Sequence, residues 1–564
     1  MKKIRILAAV LACLMIAGVA GCNVGEQDGK ATNKPSDATG IATAEPTEAP
    51  TEAPTEEPET GIDEPLDLPY AEEFRVSKAF SKNMVLQRGE HIRVWGWADE
   101  SQNGKKVSGE FLGMFTEAEI KDGEWVLTFK KKLEANANPG NTLRIYTDTQ
   151  EVTFDDVLVG DVYMCIGQSN CAYSMSNHWQ YVDKNDEVKF GSKTIDKEAP
   201  IRVFYNTAAS ATGLKRGTEA VNKDVANRMS WKKANSSAIS QFTAIGYLFA
   251  ANYVRATGGT VPVGVIEIDG NGLPIGAFVP NEVAVQCNTD TYNSTKKYYV
   301  TQGVNADAGR YMYNEYMYPF ERMAMAGVIW YQGESDFQDH LTAKYVDTFN
   351  ALMTYMRGTH NLINKDFAVY FVEFPSIYQK PAGHKGDWHF MDLGKIRAKM
   401  GEIVATLPNS YQIVSSDAWA DRTFFNSLHP NCKYEQALRG ANIALAVNGE
   451  GGMTMEKATG PIIDSVSYSS DGKTAIVKFK NVGSGLKTID GADEVKGFVG
   501  LAAANTLSNN TVTAKITGTD TVEVKASFKL EGIAYNAKYD NFFGETINLA
   551  NSEGNPAGAF MINK

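Results

Sequence analysis

The chain has 564 residues, of which 43% are hydrophobic and 22% are charged, and its formal net charge is −12. This apolar content is sufficient for several hydrophobic cores, whereas the acidic balance argues against a nucleic-acid-binding protein and against tight binding of polyanions. Part of the negative charge lies in a Thr-Glu-Pro segment near the N-terminus, so the net charge says little about the folded part.

The first residues have the pattern of a bacterial targeting segment. The start Lys2-Lys3-Ile4-Arg5 is basic, and the apolar run 6–19 is too short for a stable membrane span. The run ends in Val19-Ala20-Gly21-Cys22, and small residues before a cysteine are typical of a bacterial lipoprotein signal. The alternative is an ordinary signal peptide cleaved near Ala20. We expect a signal peptide over 1–22 and a lipid anchor on Cys22.

Residues 23–72 are predicted to form a disordered tether. Thr-Glu-Ala-Pro repeats run from Thr47 to Pro58, and a segment this acidic and rich in proline cannot bury a core. It would act as an extended spacer that holds the protein at the extracellular face of the membrane. Such linkers favour a Gram-positive cell surface.

Two segments with short alternating strands flank the middle of the chain. In 73–156 the strands are separated by turn signals at Asp122-Gly123 and Pro139-Gly140, a pattern typical of a small β-sandwich. The segment 456–564 is again strand-like and predicts a second β-module. The expected strands are Arg93–Trp97, Trp125–Phe129, Thr142–Tyr146, Ala475–Phe479, Val512–Ile516 and Val522–Ala526.

Residues 157–455 have a different period. Buried-strand candidates alternate with helical segments, such as the one in which Phe242, Ile245, Phe249 and Tyr253 recur at three- and four-residue spacing. This alternation predicts a parallel sheet with helices on both faces, in which ligands bind at the carboxyl ends of the strands. The expected strands are Val162–Ile166, Val263–Ile268, Val328–Tyr331, Val369–Phe374 and Gln412–Ser415.

Polar residues follow several of these strands. In Asp161–Asn170 the apolar run stops at Gly167, and Ser169 follows, which is how an α/β fold presents a nucleophile near a helix N-terminus. The alternative is that Gly and Ser only cap a strand-to-helix turn. The segment Gly327–Asp336 also ends in a polar cluster, and Ser427–Pro430 carries a late histidine. Serine early, amide in the middle and histidine late is a workable order for acyl transfer.

With these blocks the chain resembles the sialate O-acetylesterase family of the SGNH-hydrolase superfamily. Gly167-Gln168-Ser169-Asn170 is similar to its nucleophile block, Trp330–Ser335 to its central block and His429-Pro430 to its histidine block. The resemblance extends from about residue 74 to the C-terminus and includes the segments Phe80–Arg88, Pro262–Glu267 and Asn548–Ala557. It implies an SGNH-hydrolase three-layer α/β/α core with a parallel sheet, over residues 157–455.

The resemblance also implies site residues. Ser169 would be the nucleophile and His429 its base, and the oxyanion donors would be the Ser169 backbone N–H, a backbone N–H of the loop that contains Gly272, and the side-chain amide of Gln332. Glu334 is expected at the same substrate-binding site. The structural alternatives are a polar strand-end cap for Gln332 and a partner of the serine loop for Glu334.

The acid of a catalytic triad is less well defined. Relatives often carry an aspartate two or three residues before the histidine, where this chain has Ser427 and Asn426. Asp421 and Asp417 lie upstream, and either could orient the His429 ring. A Ser–His dyad is the third possibility.

The function implied by the resemblance is removal of O-acetyl groups from sialic acid or from a polysaccharide such as xylan, with no cofactor and no metal. Aromatic residues near predicted strand ends, Trp330, Tyr331, Trp388 and Trp419, could stack on sugar rings, although they could equally be core residues. The remaining cysteines, Cys165, Cys171, Cys287 and Cys432, lack the spacing of a zinc site. The competing hypothesis is a catalytically silent glycan-binding surface lipoprotein.

Overall fold

The computed structural model describes residues 74–205, 220–225, 229–302, 309–336, 339–358, 366–376, 389–418, 429–538 and 544–564. The signal peptide, the tether and Cys22 lie outside these residues. Among the described helices, none has both the length and the hydrophobicity to cross a membrane.

Most strands between residues 74 and 155 belong to two antiparallel sheets. The strands are β1 Arg75–Val76, β2 Val85–Gln87, β3 Ile92–Trp97, β4 Lys106–Phe111, β5 Met114–Glu119, β6 Glu124–Phe129, β7 Thr142–Tyr146 and β8 Glu151–Asp155. One sheet has the order β1-β3-β6 and the other β5-β4-β7-β8, whereas β2 pairs with the first strand of the central sheet. Residues of both sheets, among them Trp95 and Ile145, are buried in one apolar cluster. That these sheets form a sandwich module stays a prediction.

The central segment alternates strands and helices, as its hydrophobic pattern predicts. The strands are β9 Leu158–Gly167, β10 Ile201–Tyr205, β11 Trp231–Lys233, β12 Val263–Asp269, β13 Asp290–Asn293, β14 Tyr298–Thr301, β15 Gly327–Tyr331, β16 Ala368–Val372 and β17 Ser410–Ile413. The helices are α1 Met175–Trp179, α2 Ser236–Ile239, α3 Ala244–Ala256, α4 Asn281–Cys287, α5 Asp339–Gly358, α6 His389–Met400, α7 Ile403–Thr406, α8 Tyr434–Asn448 and α9 Met455–Ala458.

The predicted parallel sheet is confirmed. Its order is β11-β10-β12-β9-β15-β16-β17, and all neighbours from β10 to β17 are parallel, with β11 antiparallel at the edge. Side chains alternate along β9: Met164 and Ile166 join one core with Phe349 of α5, and Tyr163 joins another core with Phe249 of α3. Helices therefore cover both faces, as the near-continuous hydrophobic strands require.

The C-terminal strands are again antiparallel. They are β18 Ile462–Tyr468, β19 Thr474–Lys480, β20 Lys487–Thr488, β21 Phe498–Ala503, β22 Thr506–Leu507, β23 Val512–Ile516, β24 Thr521–Ala526, β25 Gly532–Tyr535, β26 Leu549–Ala550 and β27 Phe560–Asn563. Two four-stranded sheets have the orders β18-β19-β24-β23 and β22-β21-β25-β27, and residues of both, such as Val477 and Tyr535, are buried in one cluster. The sandwich arrangement of this part also stays a prediction.

The register of the central sheet positions the site. Gly167, the last residue of β9, pairs with Asp269 of β12 on one side and with Tyr331 of β15 on the other. The carboxyl ends of three neighbouring strands are therefore level. The segments that follow them carry Ser169, Gly272 and Gln332, so these residues are brought to one edge of the sheet.

Candidate active site

The turn that carries Ser169 begins at a position that only glycine can occupy. A Cβ on Gly167 would lie 2.0 Å from the Tyr331 carbonyl oxygen and 2.8 Å from the Cys171 Cβ. The turn is closed by the Ala172 N–H, which donates to the Gln168 carbonyl at 2.8 Å. Helix α1 begins only at Met175. The serine therefore lies in a single turn that precedes the helix by several residues.

Ser169 and His429 meet in the structure. The His429 Nε2 is 2.7 Å from the Ser169 Oγ, although the two residues are far apart in sequence. Burial, reinforced by the positive charge of Lys433, lowers the pKa of His429 to about 4. The imidazole is therefore neutral near pH 7, and its Nε2 can accept the serine proton.

Asp417 does not contact this pair in the structure. Its two carboxylate oxygens accept from the two terminal nitrogens of Arg439, each at 2.6 Å. Since a bidentate ion pair fixes the carboxylate geometry, Asp417 stabilises the segment after β17 instead of orienting His429. Asp421, the other candidate, lies outside the described residues, as do Trp388 and Trp419.

The loop that contains Gly272 lies beside the end of β9. The Gly270 N–H donates to the Gly167 carbonyl at 3.0 Å, which ties this loop to the strand that carries the serine turn. Gly272 has a φ of 68°, in the left-handed region that favours glycine. The structure therefore ties the start of this loop to the end of β9, and the role of Gly272 as an oxyanion donor stays a prediction.

The side chain of Gln332 contacts protein acceptors, as its structural alternative predicts. Its side chain is fully buried, and its Nε2 donates to the Asp336 carboxylate at 2.7 Å, to the Leu273 carbonyl at 3.0 Å and to the Gln168 side chain at 3.3 Å. Asp336 in turn accepts from the Ile275 N–H at 3.0 Å. In this geometry the amide hydrogens of Gln332 are directed at protein acceptors, and the bond to Leu273 braces the Gly272 loop.

Glu334 is a partner of the serine turn, the structural alternative given above. Its carboxylate accepts from the Asn170 Nδ2 at 2.5 Å, and the Asn170 Oδ1 accepts from the Lys433 Nζ at 2.6 Å. Burial raises the pKa of Glu334 to about 7 and lowers the pKa of Lys433 to about 7. With only 5% of its surface exposed, Glu334 is not placed to bind substrate directly.

Sequence reasoning missed the roles of Asn170 and Lys433. Asn170 is part of the quoted nucleophile block, so its position beside the serine could have been used. Lys433 gives no such signal, because a lysine just before a helix is usually exposed.

The cysteines near the serine are free thiols. The Sγ atoms of Cys165 and Cys171 are 3.3 Å apart, and both residues are fully buried. Across the described ranges, no three His, Cys, Asp or Glu side chains are grouped so that they could hold a metal ion.

The parallel sheet, with a serine and a histidine in contact at its carboxyl edge, is consistent with the SGNH-like class of carbohydrate esterases. Residues 159–417 match the family model described as carbohydrate esterase, sialic acid-specific acetylesterase. Over this range the chain is similar to the sialate O-acetylesterase family, and the comparisons support an ester hydrolase. The matched range contains Ser169 and ends before His429.

Relatives and a solved structure agree with this assignment. Sialate O-acetylesterases from Pongo abelii and Homo sapiens are each 26% identical to this chain, over 70% of it and 74% of the relative. The crystal structure of a carbohydrate acetylesterase from Xanthomonas citri has a TM-score of 0.66 and 24% identity, covering 87% of this chain and 100% of that one. At this identity the second comparison shows a shared fold.

Proposed function

We propose that this protein is a cell-surface serine carbohydrate esterase that removes O-acetyl groups from sugars through an acyl-enzyme. The observation that carries the proposal is the 2.7 Å contact between the Ser169 Oγ and the His429 Nε2 at the carboxyl edge of the sheet. Side chains in this arrangement perform acyl transfer on several unrelated folds.

The proposed reaction has two steps. The Ser169 Oγ attacks the acetyl carbonyl while the His429 Nε2 takes the serine proton, and the resulting imidazolium returns that proton to the departing sugar hydroxyl. Water then attacks the acetyl-serine with the same base, which releases acetate and restores the serine. Backbone N–H groups of Ser169 and Gly272 would stabilise the negative oxygen in both steps.

For the residue that orients His429, we propose Asp421. Both carboxylate oxygens of Asp417 accept from Arg439, and neither is paired with the imidazole in this geometry. A dyad without an acid is the alternative, and the variants described in the Discussion distinguish the two.

The relatives support a proposal for the substrate class. The named relatives are sialate O-acetylesterases, and the chain shares its fold with a carbohydrate acetylesterase. We therefore propose O-acetylated sialic acid or an acetylated polysaccharide such as xylan.

Acetate release from both substrates, measured in parallel, tests the proposed function and selects between the substrates. Ser169→Ala and His429→Ala should each abolish release. The absence of release from either substrate by the folded protein would overturn the proposal and favour a glycan-binding protein.

The location at the cell surface is a separate part of the proposal. It depends on the Val19-Ala20-Gly21-Cys22 pattern and the acidic spacer that follows. Metabolic labelling with a fatty-acid analogue tests it: label should enter the wild-type protein and not Cys22→Ala. Equal labelling of both proteins would refute the lipid anchor.

The flanking sheets are proposed to be β-sandwich modules, over 73–156 and 456–564. The support is that each part has two larger antiparallel sheets. Residues of the C-terminal pair share a buried apolar cluster, and residues of the N-terminal pair are buried in the cluster that also covers one face of the central sheet. Limited proteolysis that cuts near 156 or 456 and releases stable fragments would agree with these boundaries.

A further inference from the structure

Lys433 is fully buried beside the candidate site, which is rare for a lysine. It lies four residues after His429, immediately before α8. Its Nζ donates to the Asn170 Oδ1 at 2.6 Å and lies over the rings of Tyr173 and Tyr331, 4.8 Å and 5.1 Å from their centroids. The surroundings of the ammonium therefore combine one strong hydrogen bond with two aromatic faces that attract a cation.

Asn170 is held from both ends of its carboxamide. The oxygen accepts from the Lys433 ammonium, and the nitrogen donates to the Glu334 carboxylate at 2.5 Å. With a short hydrogen bond at each end of its carboxamide, this side chain has little freedom to rotate. Asn170 directly follows Ser169, and a fixed Asn170 therefore fixes the backbone from which the serine projects.

The charge of Lys433 also acts on the histidine. The described charged or titratable groups that face Lys433 include Glu334 from the segment after β15, Cys171 from the serine turn and Cys432 beside it in the chain, in addition to the two tyrosines named above. His178 of α1 experiences the same positive charge. Burial is the larger cause of the lowered pKa of His429, and the positive charge of Lys433 is the second.

We propose that Lys433 is a positioning residue of the esterase site, because through Asn170 it fixes the turn that carries Ser169. This inference rests on the proposed roles of Ser169 and His429. A purely structural Lys433–Asn170–Glu334 bridge would leave the pH dependence of the reaction unchanged. A positioning role for Lys433 predicts that the pH dependence changes when the ammonium is removed.

The test is the pH dependence of kcat and kcat/KM for ester hydrolysis by the wild-type protein, Lys433→Met and Lys399→Met. Lys399 is the matched control, since it is also mostly buried and paired with a carboxylate, that of Glu402. In Lys433→Met, kcat should fall by about 10- to 100-fold, as for a misplaced nucleophile. The acidic limb should move up by about one pH unit, the lower end of what a neighbouring charge produces. Lys399→Met should keep the wild-type limb.

Two further variants make the outcomes unambiguous. Asn170→Ala breaks the bridge and leaves the ammonium in place, so kcat should fall while the acidic limb stays at the wild-type pH. A folded Lys433→Met protein whose acidic limb lies at the wild-type pH would overturn the inference. An Asn170→Ala protein with wild-type kcat would also overturn it, and this second result decides the matter if Lys433→Met does not fold. Activity that survives in Ser169→Ala would instead refute the proposed function itself.

Discussion

Replacing Gln332 by leucine distinguishes two roles for its side chain. In the predicted role, the amide stabilises an oxyanion. In the observed geometry it donates to the Leu273 carbonyl and to the Asp336 carboxylate inside the protein. Gln332→Leu removes the donor in either case and nearly preserves the side-chain volume.

The two roles predict different magnitudes. A buried acceptor left without its donor costs about 1–3 kcal/mol, and more when it is charged, so the loss at Leu273 and Asp336 together should destabilise the fold by about 2–5 kcal/mol. Loss of an oxyanion donor instead lowers kcat by about 10²–10³ without requiring a change in stability. We expect the first outcome, with a much smaller effect on kcat.

The assay is urea denaturation followed by tryptophan fluorescence, combined with kcat measured below the unfolding transition. At a constant m-value, the shift of the midpoint gives the free energy lost. Gln412→Leu is the matched control, because the Gln412 amide also donates to a buried carboxylate, that of Glu373 at 2.9 Å, and to the Ala559 carbonyl at 3.1 Å. It should destabilise the protein and leave kcat unchanged. If the midpoint of Gln332→Leu is unshifted and kcat is reduced by about 10²–10³, the structural role of Gln332 is refuted.

Three further predictions concern the same site. Asp421→Asn should lower kcat by about 10³–10⁴, as loss of a triad acid does. Asp417→Asn, which breaks an ion pair, should instead cost about 1–3 kcal/mol of stability with kcat little changed. If steady-state kinetics and thermal melts show the opposite pattern, Asp417 and not Asp421 orients His429. Since the base must be unprotonated and the pKa of His429 is lowered to about 4, kcat/KM should fall only as the pH drops towards that value, and an acidic limb at the ordinary histidine pKa would contradict this. Gly167→Ala places a Cβ 2.0 Å from a carbonyl of the neighbouring strand and should lower both the melting temperature and kcat, whereas Gly358→Ala, whose Cβ meets nothing within 4 Å, should do neither.

The central sheet was predictable because its strands are buried on both faces. Such strands are nearly continuous apolar runs. The expected strand Val162–Ile166 lies within β9, which spans Leu158–Gly167. The position of Ser169 and Gln332 at the same edge of the sheet was predictable from the rule that ligands bind at the carboxyl ends of parallel strands.

Contacts between distant segments were not predictable in this way. The direction of the Gln332 amide depends on Leu273, 59 residues away, and the burial of Lys433 depends on Asn170, 263 residues away. A glycine followed by a serine is typical both of a helix start and of an isolated turn, so the pattern alone did not show that Ser169 precedes α1 by several residues.

The most direct test of the central claim is the mass of the protein after reaction with a fluorophosphonate, with the modified peptide mapped. We predict a single adduct on Ser169 that forms together with loss of acetate release and is absent from Ser169→Ala. The adduct should form much more slowly in His429→Ala, because the serine then has no base 2.7 Å from its Oγ. Acetate release that continues while Ser169 stays unmodified, or an inactivating adduct on another residue, would contradict the serine mechanism.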